Sequence, residues 1–337
     1  MGSTPTTRWR QFSLRGLLLL ITLASVLLAW CGWRLQRVRI ESKAADAIVE
    51  AGGEVAYANQ FDGRVSRMTP YPAHTSKIGA WLQQLLGVNP LQRMVSVKLV
   101  DDTSLALVSK YSLTGLEIVR LEGSQITDAG LAHIRDCTQV RVLSLDGARV
   151  SDGGLDNIRR YKQLEELWLN NTLVSEAGIK KIAHLDSLWA LDIRGTSISD
   201  EGLTQIASMR GISTLYLNSN TLSDDGLKNL RALPNLHCLL LGDQLSARFD
   251  VVCLSEFPVL NELCLEGASV KDATLKPLAG NKKIETLRLH SCTGLTDQSL
   301  SIIATMPRLR HLNLARTPFS AQALTQFRTE HPNCTIR

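Results

Sequence analysis

The chain has 337 residues, of which 44% are hydrophobic, 20% charged and 5% aromatic, with a formal net charge of +5. That hydrophobic share is ample for a core and excludes wholesale disorder. Seven cysteines are too few to build a disulfide mini-fold, and an odd count leaves at least one thiol unpaired. The charge is unevenly placed. Arg8, Arg10, Arg15, Arg34, Arg37, Arg39 and Lys43 face Glu41 alone in the first 43 residues, and the other 294 residues carry 30 basic and 31 acidic side chains. A near-neutral bulk lacks the concentrated positive charge that nucleic-acid binding requires.

Residues 1–15 form a basic tail. Gly16–Trp33 is an uncharged run of 18 residues dominated by leucine, long enough as a helix to span roughly 27 Å. Arginines bracket it, and Trp9, Trp30 and Trp33 stand where interfacial aromatics are expected. A buried soluble helix would not need a charge-free run ringed by arginine. A cleaved signal peptide needs small residues before its cleavage site, and Ala29-Trp30-Cys31 puts Trp30 there, spoiling also a lipoprotein-type site at Cys31. The segment is therefore expected to be an uncleaved single-pass transmembrane helix. Three arginines on each side leave the positive-inside rule silent. A short Arg-rich tail before a Leu-rich helix has the pattern of a signal anchor, which places the repeat domain on the extracytoplasmic side. The thiols argue the other way.

Residues 34–93 read as a connector. Arg34–Ala51 has helix-favouring composition and ends at Gly52-Gly53, a helix stop. Glu54–Asn59 alternates like a strand, and residues 60–77, with Gly63, Pro70 and Pro72, read as a loop. Ile78–Leu86 has amphipathic spacing and is expected to cover the first open core face of the repeat domain.

From residue 115 the chain repeats every 24 residues. Units begin at Gly115, Gln139, Gln163, Ser187, Gly211, Asn235, Val259 and Lys283, and after one inserted residue at Arg308. Unit position 5 runs from Val119 through Leu143 and Leu167 to Leu312, position 7 from Leu121 to Leu314, and position 2 from Leu116 to Leu309, aliphatic throughout. Met94-x-x-Val97-x-Leu99 is a shorter leading unit, so the domain covers 94–337 with about ten units. Apolar positions 5 and 7 with variable 4, 6 and 8 are the period of a short strand buried on one face. The second half reads as a helix. In Ile126-Thr127-Asp128-Ala129-Gly130-Leu131 and its copies, Ser or Thr supplies the N-cap and the acidic residue sits at the positive end of the dipole. The recurring Gly130, Gly154, Gly178, Gly202 and Gly226 are expected to permit close helix–strand packing. One strand and one helix cannot bury their faces alone, but stacked units make a continuous core.

This pattern resembles the leucine-rich repeat, and its Ser/Thr-Asp-x-Gly-Leu variant resembles the ribonuclease-inhibitor-like and F-box-type repeats. The resemblance covers 94–337. Phe12-Ser13-Leu14-Arg15-Gly16-Leu17-Leu18 and Ala80-Trp81-Leu82-Gln83-Gln84-Leu85-Leu86-Gly87 are similar to the membrane-anchored leucine-rich repeat proteins of planctomycete-type bacteria. The implied fold is an α/β solenoid, with a curved parallel sheet on the concave side and helices on the convex side, behind an N-terminal transmembrane helix. No F-box precedes the repeats, so a ubiquitin-ligase role does not carry over. The usual Asn at position 10 is mostly replaced, with Asn220 the exception, so no buried asparagine ladder is expected.

Strand positions 4, 6 and 8 are expected to face the concave side. At position 6, Trp168, Asp192, Tyr216 and Leu240 would run along one row of about 15 Å at the usual strand spacing. Asn170, Arg194 and Asn218 at position 8 lie beside them. Aromatics with Arg and Asn compose interaction surfaces, though exposed strand positions favour aromatics anyway. The row is the candidate site for a protein or peptide partner. The Asn235 unit departs from the pattern at Asp243–Asp250, by drift or as a local functional loop.

Catalytic chemistry is not evident. His237, His290 and His311 occupy different unit positions and do not converge on one metal. There is no Cys-x-x-Cys, Gly-rich phosphate loop or Gly-x-Ser-x-Gly motif, so no cofactor, metal or enzyme activity is expected. Cys137 and Cys292 fall at inward positions, and Cys238 and Cys264 are ill-placed for a disulfide. The reading is a membrane-anchored, non-catalytic interaction solenoid. An envelope scaffold without a discrete ligand, or a glycan binder, is the alternative.

Overall fold

The computed structural model describes residues 14–58, 84, 93–123, 125–218, 222–242, 254 and 256–337. The basic tail up to residue 13, the loop 60–77, the helix expected at Ile78–Leu86 (save residue 84), Asn220 and the irregular stretch Asp243–Asp250 lie outside them. Twelve strands form one sheet in strict chain order. They are β1 (Glu54–Tyr57), β2 (Met94–Lys98), β3 (Ile118–Arg120), β4 (Val142–Ser144), β5 (Glu166–Trp168), β6 (Ala190–Asp192), β7 (Thr214–Leu217), β8 (Cys238–Leu241), β9 (Glu262–Glu266), β10 (Thr286–His290), β11 (His311–Asn313) and β12 (Thr335–Ile336). β1 is antiparallel to β2, and each later pair is parallel.

Unit position 5 pairs with position 5 across every strand from β3 to β11, as in Val119↔Leu143 and Leu215↔Leu239. Their side chains are buried, as are the position 2 and 7 aliphatics from Leu116 and Leu121 through Ile284 and Leu289. The period-2 reading of the sequence therefore holds along the sheet. Cys137 and Cys292 are buried in the same core. Among the described residues, position 9 turns the chain out of the sheet at positive φ: Gly147 at φ 71°, Asn171 at 55°, Gly195 at 64°, and Ser291 and Arg316 at 54° and 58°. Gly and Asn take this conformation readily, whereas Ser291 and Arg316 hold it at a cost.

The sheet is backed by short helices, such as Glu176–Ile182 and Asp200–Ile206, but several units depart from the expectation of a helix, Asp272–Leu275 among them, a single turn continued by a 3-10 helix. Asp128–Leu131 is one turn continued by a short 3-10 helix, and residues Gly154–Asn157 form only a 3-10 turn. Gly153-Gly154 weakens helix propensity there.

The acidic residue at the head of each helix does more than complement its dipole. Asp128 accepts the Ser151 backbone N–H at 2.7 Å and the Ser151 hydroxyl at 2.5 Å, so it caps the next unit. Asp102 does this for Thr127, Asp152 for Ser175, Asp200 for Ser223 and Asp272 for Thr296. Glu176 receives the Ser199 hydroxyl in the same place. This carboxylate ladder adds a reason for the glycine at Gly130, Gly154, Gly178 and Gly226, whereas at Gly202 an added Cβ would meet the Ile198 side chain first, as close packing of the helix predicts. A Cβ on Gly130 or Gly226 would strike the preceding unit's carboxylate, Asp102 or Asp200, before anything else.

The N-terminal helix α1 (Leu14–Glu50) is continuous over 37 residues, so the apolar run and the connector helix are one element. At 1.5 Å per residue it is about 55 Å long. Gly32 alone does not break it, because helix formers follow. It is long and apolar enough to cross a membrane, with no part of its most apolar window buried. It stops as expected at Gly52, φ 80°, where the Gly53 N–H returns to the Ile48 carbonyl at 2.8 Å.

Among the described residues, the second half of α1 covers the first core face. Ala44 and Ile48 are fully buried beside the helix Asp102–Lys110. Glu41 is buried and accepts the Met94 N–H at 3.0 Å. Arg37 holds Glu41 at 3.3 Å and donates to the Ser112 carbonyl at 2.9 Å. At the other end, the helix Ala321–Glu330 buries Phe327 and β12 closes the sheet.

The ladder generates a double-mutant prediction. Gly130→Ala must displace the Asp102 carboxylate from Thr127, at a cost of about 1–3 kcal/mol for the lost hydrogen bonds. In an Asp102→Ala background the same change meets no carboxylate, and it should be neutral or slightly stabilising, because alanine is the better helix former. Denaturant melts of the four proteins check this, and equal costs in both backgrounds would contradict it.

Candidate protein-binding face

The sheet brings the candidate residues together, but not as an open row. Trp168, Asp192, Tyr216 and Leu240 stand in register on β5, β6, β7 and β8. Trp168 and Tyr216 are two strands apart, about 9.6 Å by ordinary spacing, yet their ring centroids lie 5.5 Å apart at 38°. They lean towards each other over the small residue between them. Asp192 is consequently 0% exposed and Leu240 is 7% exposed. Both were expected to be accessible, and both are covered. Side chains on the inside of a curved sheet converge, so large ones close over small ones. For the same reason Ile118, Val142, Glu166 and Ala190 at position 4 and Ser144 and Cys264 at position 6 are buried.

A buried carboxylate needs a compensating partner. Arg194 provides it in a fork: Nε lies 3.0 Å from both Asp192 oxygens and Nη2 2.6 Å from Oδ2. The Arg194 backbone N–H adds a further bond at 3.0 Å. The guanidinium also lies 5.4 Å from the Tyr216 ring centroid, within cation–π range. The bond to Asp192 raises the Arg194 pKa, so the group is held charged. Trp168, Tyr216 and Arg194 therefore form one packed, half-exposed cluster. Asn170 and Asn218 flank it, both partly exposed. Asn218 lies over Gly242, and its Oδ1 is shut from solvent with no hydrogen-bond partner.

Asp146 was not among the candidate residues. It precedes Asn170 at position 8 and accepts the Asn170 N–H at 3.0 Å. Burial and the nearby Asp192 push its pKa up to about 6, against the pull of that hydrogen bond. The signal was legible as acidic residues at positions 8 and 6 of units two apart, but their burial was not.

The model of the leucine-rich repeat region matches residues 123–328. The chain belongs to the leucine-rich repeat family. Among solved structures, this leucine-rich repeat chain is similar to an internalin from Listeria monocytogenes at 14% identity and TM-score 0.41, covering 78% of this chain and 94% of that one. It is also similar to LegL7, a leucine-rich repeat-containing protein from Legionella pneumophila, at 14% identity and TM-score 0.48, covering 74% and 92%. A third similar structure is a TLR13–ssRNA13 complex, at 18% identity and TM-score 0.46, covering 66% and 39%. Among curated proteins none matches the sequence.

The raised Asp146 pKa has a stability consequence with a definite sign. The folded chain binds this proton more tightly than the unfolded one. Its contribution is therefore most favourable below the ordinary carboxylate value near 4 and is lost as pH rises through about 6. Asp146→Asn keeps the acceptor for Asn170 without the charge. It should stabilise the solenoid at pH 7.5 by about 1–2 kcal/mol, with the advantage shrinking towards pH 4. Paired melts across that range measure it, and a pH-independent difference would contradict the assignment.

Proposed function

We propose that this chain is a membrane-anchored, non-catalytic interaction module that takes a protein or peptide on its concave face. In this reading residues 1–15 are a basic tail, 16–33 the transmembrane segment, 34–93 the connector and 94–337 the repeat domain. The repeats are of the ribonuclease-inhibitor-like kind, the chain is of the planctomycete-type bacterial group, and the repeat domain lies on the extracytoplasmic side. The observation that carries the reading is the Trp168–Tyr216 pair with Arg194 stacked against it. Trp, Tyr and Arg are the residues in which binding energy concentrates, and they do so in packed, partly desolvated clusters. Here Asp192 already fixes Arg194, so little side-chain entropy remains to be lost on binding. Asn170 and Asn218 provide polar groups at the rim. The anchor reading is supported by the leucine-rich surface of α1, from Leu17 to Trp33, which stands exposed and would not persist in water.

The test places a photo-crosslinking residue at Asn170 or Asn218 in the full-length chain in native membranes. The expected result is one adduct of defined size, with none from the same group at Arg160, exposed on the helical side. Trp168→Ala with Tyr216→Ala should lower the adduct yield at least tenfold while cooperative melting persists. Equal labelling from both faces, or a yield untouched by the folded double variant, would overturn the reading.

A further inference from the structure

Beyond the aromatic cluster, the concave face carries a second grouping of side chains, nearer the C-terminal end. Cys264 and Glu266 occupy positions 6 and 8 of β9 and so point to the same side of the sheet. His290 on β10 stands directly opposite Glu266 in register. One donor atom from each residue — the Cys264 Sγ, a Glu266 carboxylate oxygen and a His290 ring nitrogen — lies within 4.8 Å of the other two. His290 Nδ1 and Glu266 Oε1 are 3.4 Å apart. The three histidines weighed from sequence stand apart, whereas the neighbours of His290 across and along the sheet are a thiol and a carboxylate.

We propose that Cys264, Glu266 and His290 form a binding site for a borderline-soft divalent metal ion, for which zinc is the best match.

The donor set is sulfur, imidazole nitrogen and carboxylate oxygen, the set zinc prefers over magnesium or calcium. Tetrahedral zinc, with bonds of about 2.0–2.3 Å, holds its donors about 3.3–3.7 Å apart. The His290–Glu266 edge already has that length, and the Cys264 Sγ lies within 4.8 Å of both donors. A thiolate and a carboxylate balance the double positive charge, the thiol proton passing to solvent as the metal binds. Arg288 lies opposite Cys264 but is held aside by Glu262 at 2.5 Å, so its charge is already compensated.

The donor nitrogen of His290 in this arrangement is Nδ1, the one 3.4 Å from Glu266, while Nε2 faces away from the triangle and is shut from solvent. A surface cleft of about 440 Å³, lined by Glu266, His290, Ser291 and Arg316 among others, opens beside the cluster. It provides an entry path and room for water or a partner's side chain in the fourth coordination position.

The test uses the full-length chain in detergent, stripped with a chelator and titrated with Co²⁺ and then Zn²⁺. The expected result is one equivalent of Co²⁺ with a thiolate-to-cobalt charge-transfer band that Zn²⁺ abolishes. Cys264→Ser should remove the band and His290→Gln should weaken binding at least tenfold, whereas Cys238→Ser, a thiol outside the triangle, should change neither. X-ray absorption of the zinc-loaded wild type is a readout that needs no variant. It should show one sulfur at about 2.3 Å among nitrogen and oxygen donors. No thiolate band in the wild type, a band that survives Cys264→Ser, or a shell with no sulfur or several would each overturn the site.

Discussion

No unit of this chain can close its own polar accounts, and the rest of the structure depends on that. Twenty-four residues provide one short strand and at most two helical turns, too few to satisfy their backbone groups or bury their leucines alone. Each unit therefore borrows from the next at three levels. The strands pair position for position. The turn after each strand bonds to the equivalent turn of its neighbour, as Gly147 does to the Asn170 carbonyl at 2.8 Å. On the helical side, a carboxylate such as Asp152 accepts both donors of the next cap. Glycine at Gly130, Gly154, Gly178 and Gly226 leaves room for that carboxylate. Side chain and backbone thus impose the same register.

The same stacking shapes the concave face. Parallel strands at constant register bring identical unit positions into rows, and curvature presses those rows together. Trp168 and Tyr216 meet over Asp192, and Asp192 in turn holds Arg194 under Tyr216. The cluster is stiff because each member excludes water from another. The enclosure has an electrostatic cost: Asp146, one strand beyond, shares the desolvated region without an arginine fork of its own.

At the N-terminal end, one helix serves two environments. The half of α1 bearing Leu17–Leu28 exposes its leucines all round, while the half bearing Ala44 and Ile48 caps the first repeat through Glu41 and Arg37. Because the helix is unbroken between them, the direction of the apolar segment is fixed relative to the first strands. A Gly-rich or Pro-rich joint would have uncoupled the two.

By itself the sequence determined the solenoid. A strict period, leucines at positions 2, 5 and 7, and Ser/Thr-Asp caps are local signals, each tied to a residue type that only one backbone state accommodates well. It also singled out the apolar helix, the stop at Gly52-Gly53, the inward Cys137 and Cys292, and the residues Trp168 and Tyr216. Only the tertiary structure decided what depends on how neighbouring units lean. It buried Asp192 and Leu240, recruited Asp146, set carboxylates against Gly130 and Gly226, and packed the second half of α1 on the first repeat. It also set Cys264, Glu266 and His290 at the corners of one small triangle. These outcomes turn on distances of one or two ångströms between side chains 24 residues apart, and a repeat pattern fixes which positions are neighbours without fixing how closely their atoms approach.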